Sequence, residues 1–241
     1  MTLEGAALAT IVAFAFVVQT SVGFGAMLCC VTFGAWLLPL PELLVRVVPL
    51  SMVQAVVIVG MYRGVAIDLL GRRVLPLALL GLAAGVALSD LVTDALKPLL
   101  GLLVLLLALR ELWRGRGAPA PSPLASGVAF VGAGLLQGLF ATGGPPLVWG
   151  LASQGLPKTA FRSTLVTALF AMNVGLVGSF VWRGTLTLAT TQTTAWLLLP
   201  MGVGIMVGDW VHHRVDEATF RRAVWGLLAI GALPLIASSL T

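Results

Sequence analysis

Gly134-Leu-Leu-Gln137-Gly138-Leu-Phe-Ala-Thr142-Gly143-Gly144-Pro145 reads as an apolar helix that cannot continue, because two adjacent glycines and a proline interrupt it. A weaker copy stands at Phe16-Val-Val-Gln19-Thr20-Ser21-Val-Gly23-Phe-Gly25. Outward from these stretches the two halves keep matching. Pro41-Glu42 followed by Arg46 returns 116 residues later as Pro157-Lys158 followed by Arg162. Tyr62-Arg63-Gly64 returns 120 residues later as Trp182-Arg183-Gly184, and Ser89-Asp90 returns 119 later as Gly208-Asp209. Four landmarks in one order at nearly constant offset indicate an internal duplication of about 120 residues.

The medium in which this duplication folds follows from composition. Of 241 residues, 59% are hydrophobic and 10% charged, against about 25% charged in soluble domains. So little charge cannot cover a water-facing surface, and the chain is read as an integral membrane protein. The opening Met-Thr-Leu-Glu lacks the basic start of a signal peptide, so the first apolar segment is expected to be retained. The net charge of +5 comes from basic residues in loops between apolar runs. These read as topology signals, and no nucleic-acid partner is expected.

Gly5 to Pro41 and Gly117 to Pro157 are uncharged runs of 37 and 41 residues. As straight helices they would extend for about 55–60 Å, twice the hydrocarbon thickness of about 30 Å. Each must therefore turn back, and the glycine clusters mark the turns. The remaining spans are expected near Arg46–Tyr62, Val74–Ser89, Ala95–Leu109, Arg162–Trp182, Thr190–Gly208 and Phe220–Leu240. If both long runs return to their own side, eleven of the fourteen basic residues share one face, leaving Arg46, Lys97 and Arg183 opposite. A single crossing would split them seven and seven. The positive-inside rule favours the hairpins.

The expected fold is thus an all-α polytopic membrane protein with two inverted repeats, each a glycine-broken helical hairpin plus three transmembrane helices. Residues 1–116 form the first repeat, 117–123 a proline-rich cytoplasmic linker and 124–241 the second. A re-entrant hairpin and two full spans have the same parity, so the sequence leaves that choice open. Trp113, Trp182 and Trp210 fall at span ends as interfacial anchors.

In duplicated membrane chains, matching glycine-interrupted segments point to a transporter whose substrate binds at the breaks. A broken helix exposes backbone N–H groups at its new N-terminus, where the macrodipole favours an anion. Gly23, Gly25, Gly143 and Gly144 would let a ligand approach the backbone. Thr20, Ser21 and Thr142 add hydroxyl donors, and Gln19 and Gln137 add amide hydrogens without charge. Arg46 and Arg162, each near an expected helix start, oppose the dipole there. Pairing with an oxyanion is one reason for them; snorkelling to headgroups is the other. Asn173 is polar at mid-span, as helix glue or as part of the pathway.

The carboxylates fall at span ends, in loops or at the terminus, so no side-chain proton carrier is visible. Cys29 and Cys30 are adjacent, without a nearby base or metal-binding neighbour, and read as packing residues. His212 and His213 do not face the same way on a helix and read as a loop pair, not a metal site. Neither a cofactor nor an enzymatic activity is expected. The other readings are a passive anion channel and, behind it, a membrane-embedded enzyme or thiol-relay protein.

At residues 138–146 (Gly-Leu-Phe-Ala-Thr-Gly-Gly-Pro-Pro), 155–165 (Gly-Leu-Pro-Lys-Thr-Ala-Phe-Arg-Ser-Thr-Leu), Asn173 and the weaker Ser-Val-Gly-Phe-Gly at 21–25, the chain resembles the sulfite exporter TauE/SafE family of membrane permeases. The resemblance runs along essentially all 241 residues. It implies transport of sulfite, a sulfonate or a related sulfur-containing or organic anion, usually outward, across a bacterial inner membrane. The expected partners are that small anion and the lipid bilayer, with a homodimer left open. Substrate would bind between the two breaks while the halves rock about it.

Overall fold

The protein is described by a computed structural model covering residues 3–22, 25–61, 64–91, 96–113, 122–212, 214 and 217–237. These form α1 (Leu3–Val22), α2 (Ala26–Gly34), α3 (Leu40–Met61) and the short α4 (Ile67–Leu69). A π turn (Leu70–Val74) leads from α4 into α5 (Leu75–Leu91). Then come α6 (Leu96–Trp113), α7 (Pro123–Phe140), α8 (Gly144–Ala152), α9 (Lys158–Trp182), α10 (Leu188–His212) and α11 (Glu217–Ala237). No strand occurs among the described residues. Within them, five stretches are long and apolar enough to cross a membrane: Leu3–Ser21, Ile67–Ser89, Pro123–Phe140, Thr159–Trp182 and Leu188–Val211. Gly23, Tyr62, Arg63, Asp94, Arg114, Arg116, His213, Asp216 and residues 117–121 of the linker lie outside the described residues.

Both long uncharged runs break at the glycine clusters, but only the first uses a glycine for the left-handed residue. Gly25 holds φ at 109° and caps α2, a left-handed conformation that costs a residue with a side chain about 1–2 kcal/mol. At the other break Ala141 takes the left-handed position itself, with φ 55°. Its N–H donates to the Gln137 carbonyl at 2.9 Å and the Thr142 N–H to that of Leu136 at 3.3 Å, which closes α7.

The limbs of each hairpin are unequal. α1 has 20 residues and α7 has 18, or about 30 and 27 Å of helix. α2 and α8 have nine residues each, about 14 Å, which is half the hydrocarbon core. The short limbs cannot cross alone, so the choice left open by loop parity falls on half-length limbs. α8 runs back along α7: Ser153 Oγ lies 2.7 Å from Ser126 Oγ, and Gly150 seats the Phe130 ring, 2.6 Å from where a Cβ would be.

The chain divides into two compact units. The first takes residues 1–50, 93–116 and 187–241, and so holds α1, α2, α3 through Leu50, α6, α10 and α11. Here α10 packs along α1 and α6 along α11. Gly204 and Gly208 let the α10 backbone approach α1 so closely that a Cβ on Gly204 would meet the Ala13 carbonyl at 2.3 Å. The second unit takes residues 51–92 and 117–186, and so holds α3 from Ser51, α4, α5, α7, α8 and α9. In it α5 packs along α7. Gly81 and Gly85 face Gly134 and Gly138; a Cβ at Gly134 would lie 1.8 Å from the Ala78 carbonyl oxygen. Such small-residue seams let helices associate through van der Waals contact where lipid removes the hydrophobic drive.

Large apolar side chains such as Leu80, Val128, Leu199 and Met206 point outward, as a hydrocarbon surround requires. Trp113, Trp182 and Trp210 are exposed at helix ends, and the Arg214 guanidinium lies 4.6 Å from the Trp210 ring centre.

α3 begins six residues before the expected Arg46, at Leu40, because Pro41 and the acidic Glu42 both suit a first helical turn. α9 likewise starts at Lys158. Arg46 and Arg162 therefore sit beyond the first turn, where the dipole penalty expected of them has faded.

Candidate functional site

The second break is organised by Gln137, which is buried. Its Oε1 accepts the N–H of Gly143, the N-cap of α8, at 2.9 Å. Its Nε2 donates to Asn173 Oδ1 at 2.6 Å, and Asn173 Nδ2 donates to Ser51 Oγ at 2.9 Å. One relay thus ties the helix start to α9 and α3. One amide hydrogen of Gln137 is thereby engaged in holding the break.

Gly143 packs against Ala133, 2.4 Å from the Ala133 carbonyl to where a Cβ would stand. Ala133 lies ten residues into α7, about 15 Å along the helix. That is half of the hydrocarbon thickness of about 30 Å. The start of α8 therefore lies about half-way along α7.

Two prolines change what this helix start can donate. Pro145 and Pro146 have no N–H, and that of Gly143 is taken by Gln137. Gly144 N–H remains in the first turn. Beside it stands Thr142, 3% exposed. Its Oγ1 is buried with no hydrogen-bond partner. A buried hydroxyl without a partner costs about 1–3 kcal/mol.

The first break is built the same way but is more self-satisfied. Gln19 Oε1 accepts the N–H of Ala26, the first residue of α2, at 2.8 Å. Thr20 Oγ1 donates to the Phe16 carbonyl at 2.8 Å and Ser21 Oγ to the Gly208 carbonyl at 3.0 Å. Both hydroxyls therefore have protein acceptors.

Arg46 pairs with Glu42 one turn earlier in α3, and its Nε is buried without a partner. Arg162 is half-buried in α9. The neighbouring Ser163 is buried with its Oγ unpartnered. Thr164 Oγ1 accepts the Ala66 N–H at 3.0 Å, which fixes the segment leading to α4. Cys29 and Cys30 are fully buried free thiols.

Sequence reading passed over Ser51, Gln54 and Thr194. Ser51 and Gln54 are three apart on an apolar helix and so share a face, a signal that could have marked them. Thr194 Oγ1 donates to the Arg46 carbonyl at 2.9 Å, and nothing local announces that contact.

A family model described as Sulfite exporter TauE/SafE matches residues 8–235. A curated relative from Cupriavidus necator, described as a probable sulfite/organosulfonate exporter TauE, is 28% identical over 242 positions. That alignment covers 92% of this chain and 91% of the relative. No solved structure matches.

Proposed function

We propose, from the premise that this chain belongs to the sulfite exporter TauE/SafE family, that it carries a small sulfur-containing or organic anion, sulfite or a sulfonate first among them, outward across a bacterial inner membrane. That it is a multi-pass membrane transporter follows from the family and the apolar helices. The substrate class draws its support from the relative's description. Residues 1–116 and 124–241 act as inverted repeats in this reading. The helix pairing supports it, since α7 packs on α5 and α1 on α10, each long hairpin limb against the third long helix of the opposite half.

Binding takes place at the glycine breaks, and one observation carries it: the buried, partnerless Thr142 hydroxyl beside Gly144 N–H. An anion there would accept from both, with the positive end of α8 behind them. Gln137 and Asn173 position the break and Gln19 does the same at the other one. Arg162 supplies charge for the anion, as arginine's forked donors suit an oxyanion.

The test is Thr142→Val, nearly the same shape without the hydroxyl. A hydrogen bond to a charged group contributes about 1.5–3 kcal/mol, so the apparent affinity for sulfite in proteoliposome flux should fall about ten- to hundredfold. Stability should rise or hold, because the lost hydroxyl has no protein partner. Thr142→Ser should keep both, and Arg162→Ala should abolish flux while the protein still inserts. Unchanged affinity in Thr142→Val, or a clear loss of its stability, would remove the site from this break. Saturable, anion-selective flux that depends on a coupling gradient would separate a carrier from a passive channel.

A further inference from the structure

Along the outer side of α7 runs a groove of about 790 Å³ that the anion site does not use. Its walls are Leu77 of α5 and Leu124, Val128 and Val131 of α7. Gly127 and Gly132 make its floor by having no side chains; a Cβ on Gly132 would touch nothing within 4 Å. One end carries Arg73, in the π turn ahead of α5. Its Nη2 donates to the Pro123 carbonyl at 2.8 Å. Among the described residues that guanidinium meets no carboxylate: Asp68 reaches instead toward Arg72, at 4.0 Å.

We infer that this groove binds one acyl chain of an anionic phospholipid whose phosphate meets Arg73. Length, polarity and charge agree on that occupant. From Pro123 to Gly132 the groove follows α7 for nine residues, about 14 Å, which is the depth of one leaflet. Its wall is apolar apart from the arginine and backbone at the rim, so a chain fits and a polar ligand does not. Arg73 is tethered through one of its N–H groups, and the others remain to bond a headgroup phosphate. The start of α7 adds the positive end of its dipole at the same rim. Arg72 and Arg73 belong to the basic face that the sequence assigns to the cytoplasm, which makes this an inner-leaflet site.

Native mass spectrometry of the detergent-purified full chain, titrated with phosphatidylglycerol or phosphatidylcholine, tests this. The wild type should retain phosphatidylglycerol about fivefold better than phosphatidylcholine, the preference that one arginine near a headgroup provides. Arg73→Gln should lose that preference while still taking up lipid. Gly127→Leu/Gly132→Leu, which fills the groove and leaves Arg73 in place, should lose the retained lipid of both kinds; its melting temperature reports that it is folded. No preference in the wild type, or wild-type retention of phosphatidylglycerol by the folded double variant, would overturn the site. Preference surviving in Arg73→Gln would overturn the assignment of the phosphate to that arginine.

Discussion

Replacing Gln137 with leucine removes both ends of the relay at the second break. Gly143 N–H loses its acceptor and Asn173 Oδ1 its donor, in surroundings where Gln137 and Asn173 are both buried. Each orphaned group costs about 1–3 kcal/mol, so Gln137→Leu should destabilise the protein by about 2–6 kcal/mol. Asn173→Leu orphans Gln137 Nε2 and removes a donor from Ser51 Oγ. In the double variant the amide–amide pair is gone from both sides, so the two losses should not add. Interhelical hydrogen bonds in membrane proteins couple by about 0.6 kcal/mol on average and up to about 1.7. The double-mutant cycle, read from equilibrium unfolding in mixed micelles by circular dichroism, should return a coupling in that range. Flux measured where each variant is still folded should fall with Gln137→Leu, because Thr142 and Gly144 are no longer held by the cap. Additivity within about 0.3 kcal/mol would refute the relay, and full flux in folded Gln137→Leu would refute its role in positioning the break.

Gly134→Leu should abolish folded yield, since even a Cβ there would lie 1.8 Å from the Ala78 carbonyl, whereas Gly178→Ala, with open space around it, should stabilise by about 0.5–1 kcal/mol; size-exclusion yield and thermal unfolding check the pair. Ala141→Gly relieves the left-handed residue that ends α7 and should raise stability by about 1 kcal/mol, read as a higher melting temperature. Cys29→Ala/Cys30→Ala should keep wild-type flux, and thiol reagents should leave the folded protein unlabelled, because both side chains are fully buried; labelling or loss of flux in the folded state would revive a thiol role.

The sequence by itself determined the medium, the spans and the breaks. These are one-dimensional matters: 37 and 41 uncharged residues cannot fit once across about 30 Å of hydrocarbon, and glycine with proline says where such a run gives way. It also determined that Gln19 and Gln137 stand in equivalent places, and both prove to cap the returning helix. Only the tertiary structure decided what those side chains do there. Spacing placed an amide at each break; packing makes each glutamine's oxygen accept a backbone N–H. Spacing made Ser21 and Thr142 look alike, yet the Ser21 hydroxyl donates to Gly208, 187 residues away, while the Thr142 hydroxyl has no partner. Ser51 escaped notice because the group it serves, Asn173, is 122 residues distant. The half-length limbs and the assembly of each unit from both halves of the chain belong with these. Hydrophobicity and chain breaks act through sums along the chain, whereas a hydrogen bond depends on the distance and direction between two atoms that only packed helices bring together.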